Sequence, residues 1–238
     1  MSFNILTPPE VLSNSRHWHG QAWRIVETQH VASTMKLADN MDEQDLLELL
    51  LESSKPPQPT ATRRLHYLLS TPFRYAPPAG GSRFRAQNDP GVFYGAQSVR
   101  TACAELGYRR WKFLTDAVDL ERLEPVAHTA FQVGIATQTV DLRSPPFAAR
   151  EEIWRQPHDY SGTQAFAKLA REAGVGAILY RSVRDPDPSW CIALLNPDGF
   201  ATDQPNPVTE KWWIAVHRQT VLWRGNQGSM VFDTAYWR

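Results

Sequence analysis

The stretch from Gly80 to Trp111 constrains this chain more than any other. Gly80-Gly81 opens a turn and Asn88-Asp89-Pro90-Gly91 closes a loop, because glycine and proline supply backbone angles that other residues resist. Between them stand Arg83 and Arg85. Val92-Phe93-Tyr94 is a short β-prone run. Ser98 then reads as a helix N-cap, since Val99, Ala102, Cys103 and Leu106 follow at helical spacing. On that helix Glu105 falls at the edge of the apolar stripe rather than on its wet back. A cationic loop, a strand ending in tyrosine and a helix with one carboxylate near its buried face can all address one cleft.

This pattern resembles the RES family, named for its Arg, Glu and Ser residues. The family's glycine-rich loop corresponds to Gly81-Ser82-Arg83-Phe84-Arg85, its strand tyrosine to Tyr94, and its Ala-x-x-Glu helix to Ala102-Cys103-Ala104-Glu105. The steps from Arg83 to Tyr94 and from Tyr94 to Glu105 are equal, and a later strand reads Tyr180-Arg181-Ser182-Val183-Arg184. Two positions depart from the pattern: Phe84 stands for the usual Trp, and Arg85 for the Asn after it. The resemblance covers roughly residues 72–200. It implies an α+β fold with mixed and antiparallel sheets and flanking helices, similar to ADP-ribosyltransferases. It divides the chain into an N-terminal extension over 1–71, the RES domain over 72–200, and a β-rich C-terminal extension of the same domain over 201–238.

Composition narrows the partners. The 25 basic and 25 acidic residues cancel, so the chain lacks the electrostatic footprint of a phosphate-backbone binder and nucleic acid is not expected as a direct partner. Cys103 and Cys191 both lie in apolar runs and read as reduced core thiols rather than a disulfide framework. The N-terminus has no basic leader and no apolar run is long enough to span a bilayer, so a cytoplasmic protein is expected.

Along the chain, residues 1–20 read as a polar arm and Ala22–Glu27 as a strand. Asn40 with Glu43 resembles a capping box opening a leucine-rich helix that Lys55-Pro56-Pro57 stops, and residues 61–70 form a second short helix. Residues 129–134, 139–142, 177–180 and 190–195 are strand candidates, Ser161 to Ala173 is a helix with Gly174 as its stop, and 212–223 is a strand or hairpin. Strands and helices mix without strict alternation, which independently argues α+β.

The resemblance implies an enzyme that breaks the nicotinamide N-glycosidic bond of NAD+ by hydrolysis or phosphorolysis, with NAD+ as substrate and no cofactor or metal. Glu105, Arg83 and Ser182 are its catalytic candidates, and Arg74, Tyr75 and Tyr94 its NAD-binding ones. A carboxylate stabilises the positive charge that develops on the ribose, and a guanidinium grips anionic oxygens in a planar fork. Glu105 also suits a plain i,i+4 pair with Arg109, Tyr94 a core aromatic, and Arg85 competes with Arg83. The first site arginine, which in the family sits on a strand, is Arg74 or Arg24, with Arg74 preferred for its place on the contiguous module. Ser182 lacks a Gly-x-Ser-x-Gly elbow and is not read as an acyl-enzyme nucleophile. No Gly-x-Gly-x-x-Gly or P-loop is present, and His17-x-His19 lacks a partner set for a metal. The implied partner is an Xre-like antitoxin that blocks the NAD cleft, in a complex with room for a toxin homodimer. Transfer of ADP-ribose to a protein and a catalytically dead binding module are the alternatives.

Overall fold

A computed structural model of the protein describes residues 6–28 and 40–238. The chain is α+β. Helix α1 (Pro8–Ser13) leads into strand β1 (Arg16–Glu27), and α2 (Met41–Ser54) and α3 (Tyr67–Arg74) precede strand β2 (Phe93–Ala96). Then come α4 (Val99–Asp116), β3 (Arg122–Asp141), α5 (Glu151–Trp154), α6 (Ser161–Glu172), β4 (Ala177–Arg181) and β5 (Trp190–Leu194). Strands β6 (Thr209–His217), β7 (Thr220–Gly225) and β8 (Gly228–Asp233) follow in sequence order.

The eight strands form one mixed sheet in the order β1-β2-β5-β4-β3-β6-β7-β8. Only β3 and β4 run parallel; the other neighbours are antiparallel. Because β1 pairs with both β2 and β3, strands β1, β2, β5, β4 and β3 close on themselves, and β6 to β8 continue from β3 as a wing. One apolar cluster packs around α4 and α6, including Cys103, Trp111, Phe166 and Trp223. A second, with Leu69, Phe73, Phe93 and Phe200, lies under α3.

Several elements differ from the sequence reading. The expected N-terminal arm is helix α1 followed by the first half of β1, with residues 1–5 outside those described. Exposure alternates along this half of β1, with His17, His19 and Gln21 exposed and Trp18 and Gly20 part-buried. The helix expected over 61–70 is instead a 3-10 turn at Thr60–Thr62 and α3, which carries Pro72 within it. The two strand candidates in 129–142 belong to a single strand of 20 residues that begins before Pro125 and crosses a register irregularity between Leu123 and Val126. Helix α6 starts at Ser161 itself, with Tyr160 as the capping residue, and Gly174 ends it at φ 72°. Among the described residues no helix is long and apolar enough to cross a membrane.

The loop before β2 is a tight knot. Ser82 N donates to Arg85 O at 2.8 Å and Arg85 N returns the bond to Ser82 O at 3.1 Å. Gly81 enters this knot at φ 77°, and a Cβ there would sit 2.1 Å from Arg85 O. Gly81→Ala is therefore expected to destabilise the fold by more than the roughly 1–2 kcal/mol that left-handed backbone costs an L-residue. Urea denaturation measures this, and an unchanged midpoint with an unchanged slope would exclude it.

Candidate active site

Three elements build the site. Helix α4 is launched by Ser98, whose hydroxyl accepts from Thr101 N at 3.1 Å, and it carries Glu105, Tyr108 and Arg109 along one side. Strand β2 lies beside α4 and presents Tyr94. The Gly80–Arg85 loop is pinned to Tyr94, whose hydroxyl bonds Ser82 Oγ at 2.8 Å and accepts from Phe84 N at 2.9 Å. Phe84 itself is fully buried against Tyr180, so the loop cannot lift without opening the core. With β1, the segment 155–160, strands β4 and β5 and the turn between them, these elements enclose a cavity of about 630 Å³, lined by Arg24, Arg83, Tyr94, Glu105, Arg109, His158, Tyr160, Tyr180, Arg184 and Cys191 among others.

Glu105 is oriented from below. Ser182 Oγ donates to Glu105 Oε1 at 2.7 Å. The direction is set by the serine's other contacts: its oxygen accepts from Arg184 N at 3.2 Å and from Asp185 N at 3.1 Å. With both lone pairs engaged by N–H groups, the single hydroxyl hydrogen has to point at the carboxylate. Cys191 Sγ reaches the same oxygen at 3.7 Å. Oε2 makes no hydrogen bond among the described residues, which leaves it available to the cavity. Burial pushes the Cys191 thiol and the Tyr180 phenol far up, and the charge of Glu105 adds to both. Neither is ionised at neutral pH, so Cys191 is no nucleophile.

Apart from a paired Lys112 and Asp116, the other charged groups on the cavity wall are cationic or His158. Arg24, on β1, lies over the Phe93 ring at 4.8 Å and donates to Tyr94 O at 2.9 Å, while its Nε is buried without a partner. Burial, assisted by Arg109, pushes its pKa down to about 10, so it stays charged at neutral pH. Arg83, 7% exposed, donates to Trp154 O at 3.1 Å and Gln156 O at 2.9 Å and stacks on Tyr160. Arg184, 2% exposed, lies 3.4 Å from the centre of the Tyr108 ring and donates to Pro157 O and Tyr160 Oη. Both guanidiniums thereby hold the segment from Arg155 to Tyr160 that carries His158, whose Nδ1 lies 3.3 Å from Tyr108 Oη. Burial and the neighbouring arginines push the His158 pKa down. Ion pairs among the described residues engage Arg16, Arg74, Arg100, Arg110, Arg143 and several surface arginines, but none of Arg24, Arg83, Arg109 or Arg184. Four cavity guanidiniums thus lack a carboxylate.

The structure gathers Arg83, Tyr94 and Glu105 on the cavity wall, with Ser182 directly behind Glu105. It does not bring Arg74 or Tyr75 there. Arg74 is the last residue of a helix, not part of a strand, and it pairs with Glu52 at 2.8 Å and Pro56 O at 2.6 Å. Tyr75 is 38% exposed, and its carbonyl accepts from Arg85. Of the two arginines, the structure sets Arg24 on the cavity wall and Arg74 away from it: nearness in sequence to the loop is not nearness in space, and the pairing of Trp23 with Ala96 sets Arg24 beside Tyr94. Arg85 points away too, toward Asp89 O and Tyr75 O. Arg184, Tyr108, His158 and Tyr160 entered the site with no sequence signal except the place of Arg184 in the Ser182-Val183-Arg184 run.

A family model described as the RES domain matches residues 58–217, about two thirds of the chain. The chain belongs to the RES domain family. Arg24 precedes the matched stretch of this RES chain, although β1 is an integral strand of its sheet. No curated protein matches it. Among solved structures, a chain of the M. tuberculosis MbcT–MbcA toxin–antitoxin complex is similar at 13% identity and a TM-score of 0.45, over 95% of this chain and 94% of that one. So distant a likeness carries no function.

The different environments of Arg24 and Arg74 give opposite expectations. Arg24→Met removes a charged donor from the cavity and is expected to weaken binding of a pyrophosphate-bearing ligand about 10- to 100-fold, the worth of a hydrogen bond to a charged group. Arg74→Ala loses a half-exposed ion pair and is expected to leave affinity unchanged. Isothermal titration with ADP-ribose distinguishes the two, and the reverse pattern would return Arg74 to the site.

Proposed function

We propose that this RES protein is the toxin of a toxin–antitoxin pair and cleaves the nicotinamide N-glycosidic bond of NAD+. The observation that supports this most is the charge pattern of the cavity: one carboxylate without an ion pair, Glu105, and four guanidiniums also free of ion pairs, the lining Asp116 being paired with Lys112. Such a pattern suits a ligand with a pyrophosphate at one end and a bond whose breaking creates positive charge at the other. The cavity's volume is also in the range of small-ligand sites. In this reading Arg24, Arg83 and Arg184 take the pyrophosphate, while the Tyr94 ring, with its hydroxyl committed to the loop, offers a face to an aromatic base. Glu105 stabilises the oxocarbenium-like ribose as nicotinamide leaves. Ser182 keeps that carboxylate aimed.

Family membership supports the toxin role and an antitoxin, Xre-like by the same kinship, that closes the cavity. An anionic group of that partner would meet Arg83 and Arg24, where attraction is local because the chain as a whole is neutral. Phe113, on the cavity wall yet 59% exposed, marks the rim it would cover.

Mass analysis of products after incubation with NAD+ and phosphate tests the reaction and its acceptor. ADP-ribose signifies hydrolysis, ADP-ribose-1″-phosphate signifies phosphorolysis, and a protein shifted by one ADP-ribose signifies transfer. NAD+ that survives intact in every condition would leave only a binding module and overturn the proposal.

A further inference from the structure

Asp185 is an acidic residue 3% exposed, outside the cavity wall, and its side chain reaches both its own turn and α4, the helix that carries Glu105. Its Oδ2 accepts from Thr101 Oγ1 at 2.9 Å, one turn before Glu105 on α4. Its Oδ1 accepts from Asp187 N at 3.2 Å and lies 3.3 Å from Arg100 Nε. The turn it belongs to joins β4 to β5 and is closed by Ser182 N donating to Ser189 O at 3.0 Å. Thr101 Oγ1 also lies 2.9 Å from Ser189 Oγ, on the far side of that turn. Asp185 thus fastens the 182–189 turn to the first turn of α4. Its own backbone N–H, with that of Arg184, occupies the oxygen of Ser182 and directs the hydroxyl hydrogen to Glu105.

We propose that Asp185 is a positioning residue for Glu105, acting through Ser182 by fixing the turn that locks the serine hydroxyl as a donor to the carboxylate. The proposal rests on the reading of Glu105 as the group that stabilises the ribosyl cation. Preorganised groups of this kind lose rate when the support behind them loosens, without loss of substrate affinity. Removing Asp185 need not unfold the chain. Arg100 keeps its 2.8 Å pair with Asp187, and Thr101 Oγ1 keeps Ser98 Oγ at 2.9 Å and Ser189 Oγ.

A double-mutant cycle tests it, using Asp185→Ala, Asp185→Asn, Ser182→Ala and the Asp185→Ala/Ser182→Ala pair in the full chain. Two readouts are followed: steady-state nicotinamide release from NAD+, and hydrogen exchange of the Arg184 and Asp185 amides by NMR. Ser182→Ala and Asp185→Ala are each expected to lower kcat about tenfold or more with KM unchanged, as loss of a hydrogen bond to a charged group does. In the Ser182→Ala background the second change is expected to cost less than about twofold, since residues acting as one unit are non-additive. Asp185→Asn keeps an acceptor for Thr101 and is expected to fall between Asp185→Ala and the parent. The two amides are expected to lose protection in Asp185→Ala. A kcat loss that adds fully to that of Ser182→Ala, or amides that stay protected in Asp185→Ala, would overturn the proposal. If the parent releases no nicotinamide, the functional reading fails, and the amide protection alone then decides whether Asp185 pins the turn.

Discussion

Glu105→Gln is expected to lower the rate of NAD+ consumption by about 100-fold or more, the scale on which enzymes lose a main electrostatic contributor to the transition state. Glutamine has the same shape and can still accept the 2.7 Å bond from Ser182, so position is kept while the charge is removed. The ground-state complex is expected to survive, because the guanidiniums proposed to hold the pyrophosphate are untouched by the substitution. The signature is therefore a fall in kcat with KM nearly unchanged. Thermal unfolding should also change little, since Glu105 is only half-buried and borders the core instead of filling it. Parental turnover by this variant would remove Glu105 from the chemistry.

The second large effect lies far along the chain. Trp237, 1% exposed, is the penultimate residue, and its ring packs against Tyr108, Trp111 and Phe232 with centroids about 6 Å apart. Its indole N–H donates to Arg184 O at 2.7 Å. Trp237→Ala leaves a cavity between α4 and the β-wing and strips a partner from a buried carbonyl, for an expected cost of about 3–5 kcal/mol. The same change frees the backbone that carries Arg184 over Tyr108, so ligand affinity should fall together with stability. Chemical denaturation and ADP-ribose titration measure the two. A loss of under 1 kcal/mol would mean that the C-terminal turn is dispensable to the core.

How much of this was legible from the sequence depends on whether the determinants were local. Ser98 as a cap, the helix behind it and the strand ending in Tyr94 follow from neighbours only a few residues away, and all three formed within a residue or two of expectation. The loop's role was half legible. Its glycines announced a turn, but Tyr94 Oη anchoring Phe84 N is a contact across ten residues that no periodicity records. The relative placement of Arg24 and Arg74 was illegible for the same reason on a larger scale. Sheet pairing decides it, and the pairing of β1 with β2 joins segments 70 residues apart. Arg184 was hidden differently. A buried arginine normally signals a carboxylate partner, whereas this one is satisfied by the Tyr108 face, one backbone carbonyl and a tyrosine hydroxyl, groups most sequences contain. The full length of β3 was obscured by Pro125 and Gly134, both of which read as strand breakers yet sit within one strand.

The most direct measurement is a proton NMR time course of NAD+ with the purified protein, following the free nicotinamide resonances. Nicotinamide should appear in step with the loss of NAD+, stop when NAD+ is exhausted, and be slowed about 100-fold or more by Glu105→Gln. An NAD+ spectrum unchanged over many hours at micromolar protein, in the presence and absence of phosphate, would contradict cleavage of the nicotinamide bond by this cavity.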